Sequence, residues 1–100
     1  DEISTTCSTD VSRWSNNKVE SFRIEPEKLG IPKAKGNDLL GGDSAQNADI
    51  ARNVLKGEKG AQRDIVVLNA AAAIVCGRHA VDIKEGIARA QDSIDSGRAM

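Results

Sequence analysis

The chemically most informative residues of this 100-residue chain are two adjacent carboxylates, Asp1 and Glu2. Hard divalent cations such as Mg²⁺ bind through one or two carboxylates, with water and substrate phosphate oxygens as their remaining ligands. Adjacent residues on a strand point to opposite faces, so both carboxylates can serve one ion only where the strand ends. Because acidic dipeptides are common and usually solvated, the pair by itself indicates a metal site only weakly.

Three other patterns indicate less chemistry. Residues 40–43 (Leu-Gly-Gly-Asp) resemble a glycine turn before a helix N-terminus, where free amides bind anions, but the Asp43 carboxylate would repel a phosphate. We interpret this segment as a tight turn followed by a helix cap. Residues 56–60 are too short for a P-loop and have no Ser or Thr after Lys59, so they read as an exposed connector. The single histidine, His79, has no evident acidic partner, and no Gly-x-Ser-x-Gly elbow occurs, so no catalytic residue is assigned.

The two cysteines, Cys7 and Cys76, lie far apart, with no second thiol or histidine at ligand spacing. This excludes a disulfide scaffold and a Cys-His zinc finger. We expect two buried, reduced thiols in a cytoplasmic protein.

Charge and composition exclude two classes of partner. The formal net charge is −1, from 14 basic and 15 acidic residues, and only 2% of the residues are aromatic. The chain therefore lacks the basic surface and the stacking platforms of nucleic-acid-binding proteins. Its longest apolar run, residues 65–76, is shorter than the roughly 18–20 residues that span a bilayer. We expect neither a nucleic acid nor a membrane as partner.

The first 30 residues have the pattern of strands. Residues 3–6 are β-branched and polar, which predicts a short strand after the acidic pair. Residues 11–14 and 19–24 flank Ser15-Asn16-Asn17-Lys18, and since Asn tolerates positive φ, this sequence predicts a β-hairpin loop.

The second strand of this hairpin also has a predicted buried face. Phe22 and Ile24 alternate with polar residues, which indicates that this face packs against the protein. Pro26 suits the first position of a short helical turn, and Gly30 suits its end.

Residues 31–42 form an irregular connector, and two amphipathic helices are predicted beyond it. Asp43 and Gln46 form a capping box for the first helix, and Gly57 provides its left-handed exit. Asp82 and Glu85 form a capping box for the last helix, which ends at Gly97. Its apolar stripe consists of Ile83, Ile87, Ala90 and Ile94.

The segment 63–76 between these helices combines strand and helix signals. Residues 65–68 alone would suit a buried strand, but the four alanines at 70–73 favour a helix. This helix is apolar all round, so we expect burial on every side. Asn69 in its middle must then find hydrogen-bond partners, because leaving a buried amide unpaired costs roughly 1–3 kcal/mol. One hairpin and two amphipathic helices hardly cover such a helix, so we expect the chain to be part of a larger domain.

Several blocks, in this order, resemble the C-terminal third of anthranilate phosphoribosyltransferases. Together they extend over nearly the whole chain, which makes the series far more specific than any one block. They are residues 1–6 (DEISTT), 41–48 (GGDSAQNA), 55–60 (LKGEKG), 63–64 (RD), 68–73 (LNAAAA) and 90–97.

The resemblance implies a fold and an activity. The fold is α/β, the C-terminal part of a nucleoside phosphorylase/phosphoribosyltransferase-type α/β domain, with residues 1–100 as a single segment. Strand and hairpin occupy 1–30, the connector 31–42 and three helices 43–97. The activity is transfer of the phosphoribosyl group of phosphoribosyl pyrophosphate (PRPP) to anthranilate, giving N-(5-phosphoribosyl)anthranilate and pyrophosphate in tryptophan biosynthesis. The cofactor is Mg²⁺, and the family's metal-binding Asp-Glu pair corresponds to Asp1 and Glu2 of this sequence.

Some family features are missing from this sequence. The glycine-rich phosphate turn, the Lys-His-Gly-Asn-Arg segment and the arginine that contacts anthranilate are expected upstream of it, so no substrate-binding residue is assigned. We therefore expect that this chain alone neither binds anthranilate nor turns over, and that the intact parent is a homodimer. Two alternatives stay open: a pyrimidine nucleoside phosphorylase-like domain, which would use inorganic phosphate and need no acidic pair, and a non-catalytic α/β interaction domain.

Overall fold

The structure is a computed structural model that describes residues 2–100. An antiparallel hairpin precedes three α-helices, which confirms the predicted α/β class and the predicted order of the hairpin and the helices. The hairpin strands are β1 (Thr9–Ser15) and β2 (Lys18–Ile24), and the helices are α1 (Ser44–Leu55), α2 (Ala61–Cys76) and α3 (Ile83–Asp95). Two 3₁₀ turns, Pro26–Leu29 and Gly36–Leu39, lie between the hairpin and α1.

The hairpin turn is as predicted, but the predicted burial of one hairpin face is only partly observed. Asn16 and Asn17 have φ values of 52° and 61°, the left-handed conformation that a two-residue hairpin loop requires. Ile24 is buried, whereas Phe22 on the same face of β2 is 40% exposed. The expectation of a buried Phe22 was wrong, because only the base of the hairpin is covered by the rest of the chain.

Residues 3–6 do not form the predicted strand. The Ser4 and Thr6 hydroxyls lie 2.8 Å apart, and the Thr6 N–H donates to Ser4 Oγ at 3.0 Å. The Ser4 N–H donates to Thr9 Oγ1, also at 3.0 Å. Side-chain oxygens thus bond backbone groups that a strand would use in a ladder, and the segment bends instead.

Both predicted helix caps are present, with one difference between them. At α1 the Asp43 carboxylate accepts from the Gln46 N–H at 2.8 Å, and the Gln46 side chain accepts from the Asp43 N–H at 2.9 Å. At α3 the Asp82 carboxylate accepts from the Glu85 N–H, but Glu85 accepts from the Val81 N–H, one residue further back. This bond from Val81, with help from Arg89, lowers the pKa of Glu85.

The core is centred between α2 and α3, and buried residues of the other segments, Ile3, Ile24, Ile31 and Val54, complete it. Leu68 and Ala71 of α2 are fully buried, and the predicted stripe of α3 faces them. A Cβ on Gly86 would lie 2.7 Å from the carbonyl oxygen of Ala71, so glycine at this position permits the close approach of the two helices. Along the stripe, Ile87, Ala90 and Ile94 are buried and Ile83 is half-buried.

Of the burial predictions, that of the cysteines was wrong, and that of the second helix is not met by this chain alone. Within residues 2–100 the helix is open on one side, since Val66 is 44% exposed and Ala73 is also exposed. The reason is that α3 covers one side of α2 while the side that carries Val66 faces an open groove. Cys7 and Cys76 are free thiols, as expected, but both are exposed. Within residues 2–100, no helix is long and apolar enough to cross a membrane.

Candidate functional site

Glu2 lies at an apolar groove between α1 and α2. The groove has a volume of about 490 Å³, and the Glu2 side chain is exposed there. The other predicted metal ligand, Asp1, lies outside the described residues. The groove walls are formed mainly by apolar side chains, among them Leu39, Leu40, Ile50, Val54, Ile65 and Val66.

The backbone beside Glu2 is held by Asn69 of α2. The Ile3 N–H donates to Asn69 Oδ1 at 2.8 Å, and Asn69 Nδ2 donates to the Ile3 carbonyl, also at 2.8 Å. Nδ2 donates a further bond to the Ile65 carbonyl at 3.0 Å. The expectation that Asn69 finds partners is confirmed. The sequence held no signal that the partner would be Ile3, 66 residues away.

A second asparagine, Asn47, holds the Gly41–Gly42 segment at the same groove. The Gly42 N–H donates to Asn47 Oδ1 at 2.9 Å, and Asn47 Nδ2 donates to the Gly42 carbonyl at 3.1 Å. A Cβ on Gly41 would collide with the Asn47 side chain, and one on Gly42 with that of Gln46. The predicted helix cap at Asp43 is confirmed, whereas residues 40–42 are irregular and form no tight turn. Gly41 and Asn47 also line the groove with Glu2, which sequence reasoning missed.

The Glu2 carboxylate suits one kind of metal site. Glu2 makes no ion pair with any residue in 2–100. In the same part of the chain, no three His, Cys, Asp or Glu side chains converge as a cage for a metal. An exposed carboxylate without such a cage suits Mg²⁺, which keeps waters and takes phosphate oxygens from a substrate.

The remaining candidate residues lie elsewhere. His79 is exposed in the turn after α2, beside Arg78 at φ 61°, and does not line the groove. Residues 56–60 connect α1 to α2, as predicted, with Gly57 at φ 100°.

Sequence reasoning missed an ion pair outside the groove in which one partner is buried. Arg63 is 4% exposed and donates to both carboxylate oxygens of Asp95, at 2.7 and 3.0 Å. The hydrogen bond with Asp95 raises the pKa of Arg63, and the bond from Arg63 lowers the pKa of Asp95. Lys59 lies 3.7 Å from the same carboxylate. The pair joins the start of α2 to the end of α3.

Comparison with known protein families accounts for the whole chain. The family described as "Glycosyl transferase family, a/b domain" matches residues 1–100. The chain belongs to this family. In this glycosyl transferase α/β segment, Glu2 and Leu40 line the same groove, although they are 38 positions apart in the sequence.

Individual relatives confirm the predicted resemblance. The chain is 54% identical over 100 residues to an anthranilate phosphoribosyltransferase of Thermoanaerobacter sp., and 50% identical to that of Acetivibrio thermocellus. The match covers all of this chain and 29–30% of each relative, so the chain spans about 30% of their length. It also superimposes on the anthranilate phosphoribosyltransferase of Saccharomyces cerevisiae in complex with PRPP and Mg. The TM-score is 0.80 and the identity 26%, over 99% of this chain and 28% of that one.

Proposed function

We propose that this chain is the part of an anthranilate phosphoribosyltransferase that brings the magnesium-binding carboxylates Asp1 and Glu2 to the substrate cleft. The reaction served is transfer of the phosphoribosyl group of PRPP to the amine of anthranilate, with release of pyrophosphate. The observation that carries this proposal is the position of Glu2, an exposed carboxylate at the groove beside the Gly41–Gly42 segment. The name of the relatives favours the transferase over a nucleoside phosphorylase or an interaction domain.

The chemistry of phosphoribosyl transfer explains what this chain has to supply. Breaking the bond at the anomeric carbon places positive charge on the ribose and negative charge on the departing pyrophosphate. When bound, Mg²⁺ supplies charge neutralisation for that leaving group. The task of this chain is to hold a carboxylate beside the groove, where a cation that also bears phosphate oxygens can reach it. An amine is already a reactive nucleophile, so positioning of the two substrates accounts for much of the remaining acceleration.

The apolar groove supports the interpretation that further parts of the enzyme complete the site. Val66 is 44% and Leu40 67% exposed along it, and the chain spans about 30% of the length of its relatives. We infer that the rest of the same polypeptide covers these side chains and supplies the residues that bind anthranilate and the phosphates. The homodimer and the cytoplasmic location stay predictions.

Substitution of Glu2 in the full-length enzyme tests the proposal. Glu2→Gln keeps the size of the side chain and removes its charge, and the double variant Asp1→Ala/Glu2→Ala removes both predicted ligands. We expect Mg²⁺-dependent binding of PRPP, measured by calorimetry, to weaken at least about 100-fold in the double variant, because even residues that only orient a ligand are worth 10–100-fold. Glu27→Gln, an exposed carboxylate of the Pro26–Leu29 turn, is the matched control. Unchanged magnesium dependence in the double variant would refute the assignment.

A further inference from the structure

The amide of Asn69 bonds Ile3 as a neighbouring strand would. Its oxygen accepts from the Ile3 N–H and its nitrogen donates to the Ile3 carbonyl, both at 2.8 Å. A strand partner would place one backbone donor and one backbone acceptor in the same way. Here a single side chain provides both, so the orientation of the Ile3 backbone depends on the orientation of one amide.

That amide is itself fixed to a rigid support. Asn69 Nδ2 donates to the Ile65 carbonyl of the preceding helical turn at 3.0 Å, which sets the amide plane relative to α2. The helix is 16 residues long, and Leu68 next to Asn69 is fully buried in the core. The Asn69 side chain is therefore pre-organised by α2, and little further conformational entropy is lost when it bonds the Ile3 backbone.

The segment after Glu2 is held by its side chain as well as by its backbone. The Ile3 side chain is 9% exposed and belongs to the core cluster, whereas Glu2 is exposed at the groove. Burial of Ile3 therefore anchors the chain next to Glu2, while the Glu2 side chain stays outside the core. The two bonds to Asn69 hold the peptide groups on both sides of Ile3, one of which joins Ile3 to Glu2.

We propose that Asn69 is a positioning residue of the metal site, which acts through Ile3 to aim the Glu2 carboxylate into the groove. This inference rests on the proposed function, in which Glu2 binds Mg²⁺. Asn69 does not line the groove, so its effect is exerted through the backbone that it holds. Without it, Glu2 has to be ordered each time the cation binds, and the cation binds more weakly.

Two substitutions in the full-length enzyme separate this role from a contribution to folding alone. In Asn69→Ser the hydroxyl can donate to the Ile65 carbonyl, as serine commonly does within a helix, but it is too short to reach Ile3. The control, Ile94→Val, removes one methylene from the α3 core and leaves the Asn69 bonds in place. The readouts are the Mg²⁺ concentration that half-saturates PRPP binding in calorimetry, the KM for PRPP and kcat at saturating Mg²⁺.

We expect Asn69→Ser to raise the half-saturating Mg²⁺ concentration about 10-fold, as loss of a ligand-orienting residue commonly does. KM should rise with it, whereas kcat at saturating Mg²⁺ stays close to that of the unmodified enzyme. Ile94→Val should leave all three quantities unchanged. If Asn69→Ser matches Ile94→Val while Glu2→Gln is impaired, the positioning role is wrong and the proposed function stands. If Glu2→Gln itself keeps the normal magnesium dependence, the proposed function fails first.

Hydrogen exchange on the unmodified enzyme provides a second test that does not depend on a variant folding. If Asn69 positions the segment in advance, the Ile3 amide is protected without Mg²⁺ and PRPP, and adding both leaves its protection unchanged. Protection that appears only after both are added would mean that the ligands order the segment, which contradicts the inference.

Discussion

Arg63 and Asp95 form a bidentate ion pair in which Arg63 is buried and Asp95 is half-exposed. The guanidinium donates at 2.7 and 3.0 Å; the Arg63 side chain is 4% exposed and the Asp95 side chain 48%. Breaking such a pair is costly when the charge left behind cannot reach water. The two halves of this pair therefore differ in what their removal does.

Removing Asp95 should destabilise the full-length protein more than removing Arg63. Asp95→Ala leaves a buried guanidinium without its carboxylate, whereas Arg63→Met fills similar space and leaves a carboxylate that water can hydrate. We expect the melting temperature of Asp95→Ala to be several degrees below that of Arg63→Met, measured by calorimetry at neutral pH. Equal losses, or a larger loss in Arg63→Met, would contradict the assigned asymmetry.

The same pair predicts a pH dependence. The bond from Arg63 lowers the pKa of Asp95 below its ordinary value of 3.8, so the folded state favours the charged carboxylate. This stabilisation is complete above the unfolded pKa and is lost as the pH falls through the lower folded pKa. The melting temperature of Asp95→Asn should lie below that of the unmodified protein by a constant amount above about pH 5. The gap should shrink below about pH 4, and a gap that is constant down to pH 2 would contradict the assigned pKa shift.

Gly86 should tolerate no side chain. In Gly86→Ala the new Cβ meets the Ala71 carbonyl at 2.7 Å, and because this is backbone, α2 and α3 must separate. We expect a loss of about 1–3 kcal/mol in the free energy of unfolding, the usual cost of overpacking a core. Gly36→Ala is the control, since its Cβ would meet nothing within 4 Å and its φ is not in the left-handed region. Denaturant titration of both variants should show a loss only at position 86.

Val66 should behave as a core residue in the full-length protein, although it is 44% exposed in residues 2–100. If the remainder of the enzyme covers the part of the groove that carries Val66 and leaves Glu2 open, Val66→Asn buries an amide without partners and costs about 1–3 kcal/mol. Val81→Asn is the matched control, because Val81 is 81% exposed and lies outside the groove. Denaturant titration giving similar, small losses for both variants would indicate that the groove stays open to water.

The correct local predictions all concern interactions that close within a few residues. The Asp43–Gln46 capping box was predicted because its donors and acceptors lie within one helical turn. The positive φ of Asn16, Asn17 and Gly57 was predicted because it depends on the type of the residue itself. The acidic pair was a weak metal candidate from its residue types alone, and the family blocks strengthened that prediction. The sequence thus identified Glu2 as a candidate ligand but did not predict its position at the groove between α1 and α2.

By itself, the sequence determined the order of the hairpin and the helices, the helix caps, the hairpin turn and the family, because these depend on residue type and short spacing. Only the tertiary structure decided that residues 3–6 bend, that Phe22 and both cysteines are exposed, and that one side of α2 is open. It also decided that Asn69 bonds Ile3. Apart from the bend at residues 3–6, which short-range side-chain bonds make, each of these depends on which distant segments approach one another. Periodicity shows that a face is apolar but not which segment covers it, and a buried amide requires a partner without specifying its position in the chain.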